Sequence, residues 1–199
     1  MKTVLLIVMT LFSAICFSQE NEIYFADPTI FVENGKYYMT GTRNIEPFGF
    51  SLLESDNLKK WKLIRTEESD LILKCGNGVF GKKGFWAPQI LKENEFYYLT
   101  YTANEQTVLA FSDKISGPFL QKKIEPIDSS EKNIDSFLFK DDDGKYYFYH
   151  VRFNKGNYIW VAEFDLKKGK IIEGTLKKCF DWTQNWERTS NYKSNPVME

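Results

Sequence analysis

Three hairpins repeated along one chain, with no helical apolar period between them, predict an all-β fold of the β-propeller type. Each unit pairs an apolar strand with an aromatic strand across a tight polar turn: Thr29–Val32 with Lys36–Thr40, Gln89–Leu91 with Phe96–Thr100, and Phe137–Phe139 with Lys145–Tyr149. Asn34-Gly35 and Asp143-Gly144 are expected to supply the positive φ angles that two-residue hairpin turns require. Tyr37, Tyr97 and Tyr146 mark the repeat, 60 and 49 residues apart. Four short strands in a period of about 50 residues is the pattern of a propeller blade.

A short apolar segment with a positive start precedes the repeat. Lys2, the apolar run Val4–Phe12 and the small residues Cys16 and Ser18 have the order of a secretory signal peptide. Residues 1–18 are therefore expected to be removed, leaving residues 19–199 as a partial propeller domain in a secreted or periplasmic protein. No later stretch is long and apolar enough to span a membrane. The net charge is −1, one unit more negative without Lys2. That balance gives no support for nucleic-acid or anionic-membrane binding. Cys75 and Cys179 remain in the mature chain, and an oxidising compartment leaves both pairing and two free thiols open.

Further strands are expected at Phe48–Ser51, Val108–Ser112 and Ile159–Phe164, between the hairpins. Three units and the start of a fourth predict a propeller truncated after about three and a half blades. A β-sandwich is the competing all-β layout. Aromatic residues make up 17% of the chain, and most are expected to pack strands together.

Asp27 precedes the first hairpin and Asp135 the third, while Trp86-Ala87 occupies that place in the second and Glu199 in the fourth. Equivalent positions on the inner strands of a propeller face one axis, so acids distant in sequence would share one pocket. Convergent carboxylates suit glycoside hydrolysis, in which one acts as base toward water and another as acid toward the leaving oxygen. An aspartate before Pro28 or Ser136 also reads as a simple turn cap; repetition at matching positions favours chemistry.

These motifs in this order resemble glycoside hydrolase family 43. Ala26-Asp27-Pro28 with Gly35–Tyr38 is similar to its first-blade motif, Ser55–Trp61 to a recurrent Ser-Asp-Leu-Trp stretch, and Trp86-Ala87-Pro88 to its second-blade motif. Gly117-Pro118-Phe119, Ile134-Asp135 and Val197-Met198-Glu199 follow in the same order. The resemblance implies a five-bladed propeller and an inverting glycosidase acting on arabinofuranosyl or xylosyl linkages of plant polysaccharide, as a monomer. It implies Asp27 as general base, Asp135 as the residue that orients and tunes the acid, and Glu199 as general acid. Glu187 is the alternative acid. No organic cofactor is implied, no metal site is assigned, and a structural calcium ion is not readable from the residues.

Trp86 and Phe85 are the candidate sugar platform. His150 is expected to be packed, Arg43 to lie at the surface, Asp141–Gly144 to form a turn, and Lys167–Lys170 to form a solvated hairpin tip. A sugar-binding propeller without activity and a retaining fructan-cleaving propeller are the alternative functions. The latter carries Asn-Asp-Pro-Asn where this chain has Ala26-Asp27-Pro28-Thr29.

Overall fold

A computed structural model describes residues 23–66, 69–193 and 195–198. The expected signal peptide lies outside these residues, and so does Glu199. The first sheet contains β1 (Ala26–Glu33) and β2 (Lys36–Thr42), and the chain then forms β3 (Gly49–Phe50). It continues through β4 (Leu53–Ser55), β5 (Lys62–Leu63) and β6 (Leu73–Lys74). The first sheet has the antiparallel order β1-β2-β4-β5, while β3 pairs with β6. The second sheet is β7 (Trp86–Glu93), β8 (Phe96–Ala103) and β9 (Gln106–Ser112), in that order. The third is built on β10 (Asn133–Lys140), β11 (Tyr146–Phe153) and β12 (Asn157–Asp165). Its β12 edge carries β13 (Lys170–Ile171) and β14 (Lys177–Lys178). β15 (Arg188–Thr189) and β16 (Asn195–Pro196) form a last ribbon. Helical structure among the described residues is confined to two three-residue 3₁₀ turns, Asn185–Glu187 and Ser190–Tyr192.

All three expected hairpins form, but the third closes through the longer 141–145 turn, in which Gly144 and not Asp143 takes a positive φ. Phe31 pairs with Tyr38, Leu91 with Tyr98 and Phe139 with Tyr147, which fixes one register for three sheets. Asn34 and Gly35 take φ of 50° and 75°, as the first two-residue turn requires. Val108–Ser112 and Ile159–Phe164 lie within β9 and β12. The Phe48–Ser51 run also forms a strand, the short β3. Its strand leaves the first sheet and pairs with β6, and β4 takes the place beside β2. Gly49 makes that detour feasible: a Cβ there would lie 2.0 Å from the Leu73 carbonyl oxygen, and its φ is 141°. Cys75 and Cys179 are free thiols.

Side chains repeat the contacts between neighbouring sheets. Glu33, six residues after Asp27, accepts from Lys92 at 2.5 Å and from the Tyr97 hydroxyl at 2.7 Å. Glu93, six residues after Ala87, accepts from Lys140 at 2.7 Å. Burial raises the Glu33 pKa, but the Lys92 and Tyr97 hydrogen bonds outweigh it and hold the carboxyl below its ordinary value. Lys140 depresses Glu93 in the same direction. Midway along the strands, Gln89 clamps the second sheet to the third. Its Oε1 accepts from the Leu138 amide at 2.7 Å and its Nε2 donates to the Leu138 carbonyl at 3.1 Å.

Two apolar clusters fill the spaces between the sheets. Phe50, Phe85, Leu99 and Tyr101 anchor the larger one, between the first and second sheets. Leu138, Phe148, Phe164 and Leu166 form the smaller, with Leu91 and Leu109 of the second sheet against it. Transfer of each such side chain from water contributes about 1.5–3 kcal/mol.

Candidate active site

The strand-start positions share an unexpected backbone feature. Register shifts interrupt β1 between Ala26 and Thr29, β7 between Trp86 and Gln89, and β10 between Ile134 and Phe137. Within these three bulges Asp27, Ala87 and Asp135 take φ of 48°, 43° and 50°. A left-handed φ is uncommon outside glycine and costs on the order of 1–3 kcal/mol. Three non-glycine residues keep it at one repeated position. A bulge re-aims the side chain at the strand end, as bulges beside functional sites commonly do.

Threonine hydroxyls lock the bulges together. Thr42 ends β2 and is almost fully buried. Its Oγ1 donates to Asp27 Oδ2 at 2.7 Å and accepts from the Ala87 amide at 2.8 Å. Thr102 holds the same register position on β8, opposite Trp86. Its Oγ1 accepts from the Asp135 amide at 3.0 Å. A path of short links therefore runs from the Asp27 carboxylate through Thr42, the Ala87 bulge and Thr102 to the Asp135 backbone. All of its members sit at one end of the three sheets. Asp27 is exposed and Asp135 half-exposed, so both are open to solvent at that end.

The third sheet departs from the pattern at the next step, where Val151 holds the position of Thr42 and Thr102. Beside it Arg152 is buried and paired with Asp128, with Ser130 Oγ at 3.0 Å and Glu131 at 3.3 Å. Burial pushes the Asp128 carboxyl up, but hydrogen bonds from Ser130 and the Arg152 guanidinium hold it below its usual range. Asn133 completes this support, accepting from the Thr107 amide at 2.8 Å and donating to the Glu131 carbonyl at 2.7 Å. These residues fix the segment that leads into Asp135.

Trp86 stands in the second bulge with its ring half-exposed and its Nε1 donating to Asn44 Oδ1 at 3.1 Å. Gly84 lies under that ring, where a Cβ would be 3.1 Å from Cζ2. A flat aromatic surface is thus held beside the Ala87 bulge. Phe85 does not share that role. It is 1% exposed, stacked on Tyr101 with centroids 5.7 Å apart and edge-on to Phe50, so it has no face for a ligand. Arg43 donates to the Pro47 carbonyl at 3.2 Å. Glu187 caps its own 3₁₀ turn through the Thr183 and Gln184 amides at 2.6 and 2.5 Å. The chain reaches its last described residues beside the site end of β12, where the Met198 amide donates to the Asn157 carbonyl at 3.0 Å.

The described residues hold no cluster of three or more His, Cys, Asp or Glu side chains fit to bind a metal. None of their helices is long and apolar enough to cross a membrane.

The fold and this repeated carboxylate-bearing bulge define a sheet protein built around one polar end. The model of glycosyl hydrolases family 43 matches residues 22–197, and the chain belongs to that family. Over 176 residues it is 30% identical to xylosidase/arabinosidase 43B of Humicola insolens, covering 79% of this chain and 31% of that protein. It is 29% identical over 161 residues to a putative β-xylosidase of Escherichia coli K12, covering 73% and 29% respectively. Among solved structures, an endo-1,4-β-xylanase of Bacteroides thetaiotaomicron superposes with a TM-score of 0.74 at 39% identity, covering 82% of this chain and 55% of that one. The chain thus spans about a third of these two curated relatives and just over half of the solved structure.

Proposed function

We propose that this protein is a glycosidase hydrolysing arabinofuranosyl or xylosyl linkages of plant polysaccharide with inversion of configuration. One observation carries the proposal: Asp27 and Asp135 occupy the same bulge on two sheets, at one end, tied together through Thr42, Ala87 and Thr102. Asp27 acts as base toward water, held in orientation by Thr42. Asp135 orients the acid and raises its pKa by like-charge repulsion. Glu199 is the acid; it follows Met198, whose amide is fixed to Asn157 at the same end. Inversion requires base and acid about 6.5–9.5 Å apart, with room for water between them. Trp86 supplies a stacking face for the sugar.

Membership of family 43 and the likeness to a xylosidase/arabinosidase and a putative β-xylosidase support the substrate class. The three sheets are read as successive blades of a five-bladed propeller. Ile30 and Val32 on the first sheet and Phe137 and Phe139 on the third are exposed, whereas Ile90 on the middle sheet is covered. Further blades would cover those faces. Lys2 and the apolar run after it support export from the cytoplasm.

The decisive experiment uses aryl xylosides and aryl arabinofuranosides. Asp27→Asn is expected to lower kcat by about 10²–10⁴ with no loss of folding. Glu199→Gln should be rescued on substrates with very acidic leaving groups, which depart without protonation, whereas Asp27→Asn should not. Proton NMR of the first-formed sugar should show the inverted anomer. Wild-type rates in Asp27→Asn, or net retention, would end the proposal.

A further inference from the structure

A groove opens between the second and third sheets at the end opposite the bulges. Thr102, which binds the Asp135 amide, is six residues along β8 from Phe96 at the groove, a separation of about 20 Å. The cavity has a volume of about 260 Å³ and is walled by β8, β9, the 121–127 segment and the turn after β12. This is near the lower end of ligand-pocket sizes, about 300 Å³. All of its lining lies among the described residues.

Its floor and rim differ in chemistry. Phe96 and Phe111 meet edge to face at 6.3 Å and line the floor, and Phe96 remains 44% exposed. Five lysines line the mouth, at 122, 123, 167, 168 and 170. Glu125 joins the two walls by pairing with Lys123 at 2.6 Å and Lys170 at 3.2 Å, and Lys168 pairs with Asp165 at 3.2 Å. The Lys122 ammonium sits 5.2 Å from the Phe111 centroid. Five cations against two carboxylates give a local positive excess on a chain of net charge −1. The Lys167–Lys170 turn is the expected solvated hairpin tip, between β12 and β13, and its lysines border the groove.

We infer that this groove is a second glycan-binding site that takes an acidic stretch of polysaccharide, one carrying uronic-acid carboxylates. A sugar ring has an apolar C–H face to lay on the Phe96–Phe111 floor, and its carboxylate meets the lysine rim. A neutral pentose chain would bring no charge to offset the local excess of five lysines over Glu125 and Asp165. A nucleic acid needs a cationic track along its backbone, and this positive region is confined to one mouth. Choosing a glycan over another polyanion rests on the glycosidase reading; the existence of an anion-binding groove does not.

The test measures binding of tetragalacturonate to the full chain by calorimetry at low salt, with xylotetraose and a single-stranded DNA oligomer as comparison probes. Tetragalacturonate should bind at one site, more weakly as salt rises, and xylotetraose should not compete. Lys167→Glu with Lys168→Glu, and separately Phe96→Ala, should each weaken binding at least tenfold while aryl-glycoside turnover is unchanged. Asp27→Asn should bind as the wild type does. Unchanged affinity in the groove variants, or loss of binding in Asp27→Asn, overturns the site. Equal affinity for the DNA oligomer overturns the glycan assignment. Binding without any turnover by the wild type leaves the groove standing and removes only the glycosidase reading.

Discussion

The Thr42 hydroxyl donates to Asp27 and accepts from the Ala87 amide, so a single buried oxygen sets the aim of a carboxylate and the position of the next sheet. Thr42→Val keeps the shape and removes both bonds. The Ala87 amide loses its partner, and urea titration should show a loss of about 1–3 kcal/mol. Turnover should fall more than this change in stability explains, with kcat reduced and KM little affected. His150 bears on a different property. It is 1% exposed, packed on Phe148, and both ring nitrogens lack a hydrogen-bond partner among the described residues. Burial, aided by the Arg152 charge, pushes its pKa down to about 4. The unfolded chain takes up this proton near pH 6.5 and the folded chain does not. Stability is therefore complete above pH 6.5 and declines as the pH falls toward 4. Between pH 6.5 and 5 the loss from this residue should be about 2 kcal/mol. His150→Phe should flatten that part of the stability–pH profile.

Elements are joined by clamps that recur from one sheet to the next. Glu33 and Glu93 both meet the next sheet's lysine, and the Thr42 and Thr102 hydroxyls both meet the next sheet's bulge amide. The first kind is partly exposed and contributes little singly, about 0–1 kcal/mol. The Asp128–Arg152 pair that anchors the segment before β10 is different, because Arg152 is almost fully buried. Arg152→Met leaves the Asp128 charge without its partner and should cost about 3–5 kcal/mol, with little sensitivity to salt. The hairpins themselves were legible in the sequence, and Asn34-Gly35 marks the first turn correctly, whereas the third closes through a longer turn than Asp143-Gly144 suggests. The bulges were not. Each disturbs the alternation at one point only, and a side-chain pattern does not reveal the sign of φ. Which partner β3 takes was not legible either, since Gly49 pairs with Lys74, far along the chain.

Across the molecule, β8 lies at the centre, paired on both edges, with Leu99, Tyr101 and Ala103 fully buried. Its amides should exchange slowest of all and report global unfolding, while those of β15 and β16 should exchange through local opening. The repeat, the all-β class, the hairpins and the candidacy of Asp27 and Asp135 could be read from the residues alone, because turn chemistry and strand alternation act between near neighbours. That Phe85 is core while Trp86 stays open follows from the packed fold, since Phe50 and Tyr101 reach Phe85 from other strands. The tertiary structure alone revealed the threonine links between sheets and the lysine-rimmed groove. Such features depend on contacts between residues dozens of positions apart, which no local pattern encodes.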